Sequence, residues 1–196
     1  CLVGSEMCIR DRSGTERMRL WDFLLDVDQH VRNAMIMSVP LGFTLAAMLG
    51  LVTIEGVWMW ALWIVSAAWF WFMWLVHWRR KAPEGAALAR WDWRFRYPLI
   101  AFFFGSGVWS LATGWPYPTV WLALKVTLFA GAMVCGIFVR YCIREAYKSA
   151  IPAIAADRAT DADNAEFRLW MVRGTWALVV LWVILFTIGA LGALKP

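Results

Sequence analysis

The sequence predicts an all-α fold, a polytopic transmembrane helical bundle of about five spans. Three observations predict it. Of the 196 residues 62% are hydrophobic and only 17% charged, and the mean hydropathy is +0.59. The apolar residues also fall into five separate runs of roughly 17–23, the length that a hydrocarbon core of about 30 Å demands of a helix. A soluble domain is about half apolar and about a quarter charged, and one of this size could not hide five such runs.

The opening CLVGSEMCIRDRS has neither the apolar stretch nor the small-residue cleavage site of a signal peptide. Residues 1–13 are expected to be translated sequencing-adapter read-through, which would make the chain an N-terminally truncated fragment of a six-span protein. Residues 14–33 read as an amphipathic helix lying along the cytoplasmic interface. Leu20, Trp21, Leu24, Leu25 and Val31 take one side, and Asp22, Asp26 and Arg32 the others.

Residues 34–196 form the bundle. The first span, 34–53, contains Pro40 and is expected to kink there. Glu55-Gly56 is read as the whole turn before the second span, 57–78, which Arg79, Arg80 and Lys81 stop. The third, 97–113, begins with Pro98 in its first turn and carries Gly105-Ser106-Gly107, where a neighbour could approach closely. An uncharged turn, Gly114 to Pro118, leads to the fourth span, 119–140, whose helix continues past Tyr147 until Pro152. A polar linker precedes the fifth span, 169–191.

The net charge of +5 and pI near 9.3 are not a nucleic-acid signature, because Lys and Arg sit in particular loops. Six lie between Arg79 and Arg96, others in 14–33 and 140–168, and none in 54–56 or 114–118. The positive-inside rule then places those basic segments in the cytoplasm. The expected site is the bacterial inner membrane, with the C-terminus outside. The lipid bilayer is the expected partner, with a homo-oligomer or another membrane subunit beside it. Cys135 and Cys142, two helical turns and roughly 10 Å apart, are too distant to bridge and are expected to stay reduced.

No phosphate loop, dinucleotide fingerprint, HExxH, CxxC or hydrolase triad occurs. Folding the first hairpin about Glu55 places Met37 and Met73 each eighteen residues from the turn, and so at one depth. His30 and His77 lie one to two turns further toward the cytoplasm. Thioether and imidazole suit copper, which makes His30, Met37, Met73 and His77 candidate metal ligands, although core Met and interfacial His are ordinary. Lys125 lies about six residues, roughly 9 Å, inside the fourth span, and an ionisable group at such depth is a candidate for ligand binding or for snorkelling. Arg173 is expected to snorkel. Trp60, Trp63, Trp71, Trp74 and Trp78 form a stripe expected to face lipid.

Trp121-Leu-Ala-Leu-Lys125-Val-Thr-Leu-Phe, Cys135-Gly-Ile-Phe-Val-Arg140 and the span from Leu169 to Gly192 resemble the C-terminal half of a family of uncharacterised bacterial inner-membrane proteins. These are distantly similar to the copper-resistance protein D family. Leu24 to Asp28, Arg32 and Val39-Pro40-Leu-Gly42 resemble the segment after that family's first helix, which has no counterpart here. The WLxxK helix and Lys195-Pro196 also resemble the membrane protoporphyrinogen oxidase family HemJ, whose lysine Lys125 matches, although this chain has an extra hairpin and lacks the N-terminal His helix. The first resemblance implies a non-enzymatic protein of copper handling. The second implies a haem-associated oxidoreductase in which Lys125 binds a porphyrin carboxylate, and a structural or assembly subunit is the remaining alternative.

Overall fold

The structure, a computed structural model, describes residues 13–194. The expected read-through leader, Ser13 apart, and Lys195-Pro196 lie outside the described residues. Within them are six helices and no strand: α1 (Gly14–Met48), α2 (Val57–Trp78), α3 (Gly85–Thr113), α4 (Val120–Ser149), the short α5 (Ile151–Ala155) and α6 (Asp161–Leu194). The protein is an all-α, polytopic membrane bundle.

Four helices, α1, α2, α4 and α6, are long and apolar enough to cross a membrane. The fifth expected span is α3, whose 29 residues rise about 44 Å. Its apolar run is diluted by Tyr97, Pro98, Ser106 and Ser110. The side chains turned outward are those of a lipid-facing surface. Trp58 is 76% exposed, Phe186 70% and Trp71 64%, with Ile64, Trp182 and Val183 open as well. Contiguous apolar surface of this extent is untenable in water.

The chain forms two compact units. One comprises the described residues up to Gln29 with Phe138–Val179. Its core is Trp21, Ala146, Ala150, Ile151 and Ile154, against which Met18, Leu25, Phe167 and Trp170 pack. The Trp21 and Phe167 rings are 5.9 Å apart. Met18, Trp21 and Leu25 share a face by their i, i+3, i+7 spacing and pack inward, whereas Leu20, Leu24 and Val31 of the stripe expected over 14–33 are exposed. That segment continues without interruption into the first span as one 35-residue helix, where a separate interfacial helix was expected. Cys142 is buried here, Cys135 of the second unit is half-buried, and both are free thiols. Arg173 lies 4.8 Å over the Trp170 ring.

Entry into α6 is set by a capping box. The Thr160 hydroxyl accepts the Asp163 N–H at 3.2 Å, and the Asp163 carboxylate accepts the Thr160 N–H and hydroxyl, each at 2.7 Å. These donated bonds hold the Asp163 carboxyl below the usual carboxylate range.

The second unit comprises His30–Ile137 and the described residues from Val180. Phe103, Tyr117, Ala123, Val126, Ala130 and Met133 make its core, with Met35, Val39 and Phe43 of α1 packed on it. Close approach of α3 to α4 rests on Gly107. A Cβ there would collide with the Thr127 hydroxyl and stand 2.9 Å from the Thr127 backbone N and 3.1 Å from the Ala123 carbonyl, whereas Gly105 faces open space. Beyond α3 the chain turns at Gly114, in the left-handed conformation (φ +73°). Ser110 then pins Tyr117, its Oγ donating to the Tyr117 carbonyl at 2.8 Å and accepting the Tyr117 N–H at 3.1 Å.

Three boundaries differ from those expected. First, α1 ends at Met48, five residues short of residue 53. Gly50, at φ +69°, closes it as a Schellman motif: the Leu51 N–H bonds the Ala46 carbonyl and the Gly50 N–H bonds the Ala47 carbonyl, both at 2.9 Å. The connection is therefore residues 49–56 and not Glu55-Gly56 alone. Second, residues 85–96 are helical, so the basic loop shrinks to 79–84. Third, Pro98 consequently falls in the helix interior, where it removes the intrahelical bond that the Arg94 carbonyl would otherwise accept.

Candidate functional site

The end of α1 decides how the first hairpin aligns. The Thr44 hydroxyl receives the Trp63 indole N–H at 3.1 Å and lies 3.4 Å from Met59 Sδ. The His30 ring meets Trp74 edge-on, centroids 6.4 Å apart. Met37 lies seven residues from both Thr44 and His30. Antiparallel register between those two contacts brings it level with Ala68 and Trp69, about 7 Å of helix short of Met73. On that register the two methionines differ in depth, in keeping with α1 ending at Met48 and Gly50 and not at residue 53.

Of the four candidate metal ligands, the structure brings His30 and His77 to the same tryptophan, the Trp74–His77 centroids being 6.0 Å apart. His30 is exposed, while His77 and Met37 are half-buried. Met73 is fully buried, and its Sδ lies 3.3 Å from Arg96 Nη2. Arg80 Nη1 lies 2.6 Å from His77 Nε2 and 3.2 Å from Nδ1. A guanidinium has only donors, so Arg96 and Arg80 occupy the lone pairs that a metal would take from Met73 and His77. Among the described residues no three His, Cys, Asp or Glu side chains converge.

Arg96 belongs to a constellation that the spacing of single residues does not announce. Its Nε donates to both Asp92 oxygens at 3.1 Å, the two side chains being 8% and 0% exposed. Its guanidinium stands 5.8 Å from the Trp69 ring centroid. Trp69 in turn meets Phe95 edge-on at 5.4 Å. The i, i+4 spacing of Asp92 and Arg96 was the available signal.

Lys125 stands at the other end of the second unit, one turn into α4. It borders a cavity of about 500 Å³ between α1, α4 and α6, with Phe103 of α3 at its side. Val39, Phe43, Leu122 and Phe129 give the cavity apolar walls, and among the described residues Lys125 is the only charged one lining it. Ser38, the one hydroxyl in the lining, donates to the Met35 carbonyl at 2.7 Å. The Lys125 ammonium lies 5.5 Å from the Trp121 ring centroid, within the range of a cation–π contact. Gly192 of α6 lines the same cavity beside Lys125, and a Cβ there would collide with Lys125 Nζ. Sequence reading singled out Lys125 by its depth and by the resemblance of its WLxxK helix. The chamber and Gly192 have no local signal, since their residues come from three helices far apart in the chain.

The stripe of five tryptophans divides. Trp60, Trp71 and Trp78 are exposed as expected, while Trp63 serves Thr44 and Trp74 lies against the two histidines. No family model, curated protein or solved structure matches the chain.

Proposed function

We propose that this protein holds, within the membrane, an apolar ligand bearing a carboxylate, with its body in the chamber and its acid group on Lys125. The observation that carries the reading is the 500 Å³ apolar cavity that an ammonium, the one charged group among its described lining residues, borders. Its volume falls within the roughly 300–1,000 Å³ of small-molecule sites, which are mostly apolar with a few placed polar groups. An ammonium at the edge of an apolar wall offers a ligand's carboxylate a charge-assisted hydrogen bond. The rings of Phe43, Phe103, Trp121 and Phe129 suit a flat apolar body. A tetrapyrrole propionate, which the resemblance to HemJ suggests, is one member of this class. The role is that of a binding protein, and no catalytic step is assigned to it.

The copper reading stands second. In its favour, His30 and His77 flank Trp74; against it, Met73 and His77 already face arginine donors. For orientation we propose the bacterial inner membrane, with residues 79–84 and the start of α3 in the cytoplasm and the chamber toward the outer face. The reading is supported by the basic residues gathered at one end of α2 and α3 and the lack of any at the other.

The test uses the full chain in lipid nanodiscs, with haemin followed by its Soret band and a polyene fatty acid followed by fluorescence. At least one should bind, and Lys125→Met should weaken it by roughly ten-fold or more, the scale of a hydrogen bond to a charged group. Binding of neither probe, or equal binding by the variant, would remove the proposal and leave a structural or assembly role.

A further inference from the structure

We infer that Gly192 is the positioning residue of this site: its missing side chain is the notch that receives the Lys125 ammonium and so fixes where the positive charge meets a ligand's acid group. The inference rests on the reading of the chamber as a site for an apolar acid. Lys125 comes from α4 and Gly192 from α6, and both line the same cavity. A Cβ built on Gly192 would overlap Lys125 Nζ and stand 3.2 Å from Cε. The ammonium therefore lies against bare helix backbone that any other residue would cover. Gly189, almost one turn earlier on α6, has open space beside it, and so has Gly42, the cavity's other glycine. The contact is thus particular to Gly192 and not a general smoothness of the wall.

A methyl group at 192 meets only the far end of a flexible lysine. The side chain can swing aside at little cost to the fold, but the charge is then displaced from its seat. A charge-assisted hydrogen bond depends on close approach, so a ligand's acid group loses stabilisation while its apolar body does not. Gly192 acts on specificity through Lys125 and touches no catalytic chemistry.

The experiment compares two acid–ester pairs on the full chain in nanodiscs: the polyene fatty acid with its methyl ester, and haemin with its dimethyl ester. The wild type should prefer the acid of at least one pair by roughly ten-fold. Gly192→Ala should cut that preference several-fold with ester affinity unchanged, and Gly189→Ala should leave both as they are. In a Lys125→Met background, Gly192→Ala should bring no further loss, because the charge it positions is gone. A wild type that does not distinguish acid from ester in either pair overturns the reading of the chamber and the inference with it. A wild type that discriminates while Gly192→Ala discriminates equally overturns the inference alone. Loss of ester binding in Gly192→Ala overturns it too, since Gly192 would then hold the fold and not the charge.

Discussion

Arg96 Nη2 of α3 lies 3.3 Å from Met73 Sδ of α2, so a guanidinium donates into a buried thioether while its Nε is held by Asp92. The sulfur is a weak acceptor, and the carboxylate supplies the charge that lets Arg96 stay buried. Removing each partner should therefore have unequal consequences.

Asp92→Asn leaves an uncompensated buried cation and should destabilise the protein by about 3–5 kcal/mol. Met73→Leu keeps the volume and forfeits only the weak bond, so its cost should stay near about 1–2 kcal/mol. Denaturant titration in detergent, followed by tryptophan fluorescence, measures both, and losses of equal size would show that the carboxylate is not the dominant partner.

At the contact of α3 and α4, Gly107→Ala should behave unlike Gly105→Ala. The added methyl at 107 meets backbone atoms of Thr127 and Ala123, which trimming a side chain cannot relieve. Overpacking of this kind costs about 1–3 kcal/mol. Gly105 faces open space, and its substitution should be neutral or slightly stabilising on helix propensity. Thermal unfolding of the two variants side by side decides the matter.

Orientation can be read with a membrane-impermeant maleimide on intact spheroplasts, in a background without native cysteines. Pro118→Cys, on the uncharged side, should label at once. Ala82→Cys, among Arg79, Arg80 and Lys81, should label only after the membrane is opened, because each Lys or Arg at the bilayer centre costs roughly 2.5–3.5 kcal/mol. The reverse pattern would invert the proposed topology.

Acidification should loosen the start of α6. The Asp163 carboxyl is depressed by the bonds it accepts from Thr160. Its contribution is therefore fully present above the usual aspartate range and is lost as pH falls through the lower, folded value. Amide exchange at residues 160–164, corrected for the intrinsic pH dependence, should rise across that acidic window in the native chain. It should be fast and insensitive to that window in Asp163→Ala, and a native profile as flat as the variant's would exclude the cap as the cause.

Much of the helical order was legible because lipid imposes a length on each apolar run. The start and end of α2, the end of α3 at Thr113 and the extension of α4 to Ser149 before Pro152 all agree with the sequence reading. The end of α1 was hidden because Leu51 and Val52 prolong the apolar run past the point where Gly50 stops the helix. Only the capping residue marks that stop. The first turns of α3 were hidden for the opposite reason, since charged Asp92 and Arg96 read as loop until their i, i+4 spacing is seen as a pair. Lys125 was visible as a charge within a span. Its place in a chamber depends on Gly192, which lies far along the chain and has no spacing relationship to it.

Asp92 and Arg96 sit on the same helix, and this bears on how α3 enters the bilayer at all. A pair split between two helices would present each segment to the insertion machinery with a bare charge, and the segments would have to enter together or wait for one another. An intrahelical pair closes as soon as one turn of α3 winds. The pair, at the end of α3 proposed to face the cytoplasm, can then pack as a locally neutral unit while Arg90 and Arg94 stay exposed on that side. Met73 and Trp69 then receive a guanidinium whose charge has already been met, so that the pairing of α2 with α3 buries a matched pair and not a bare ion.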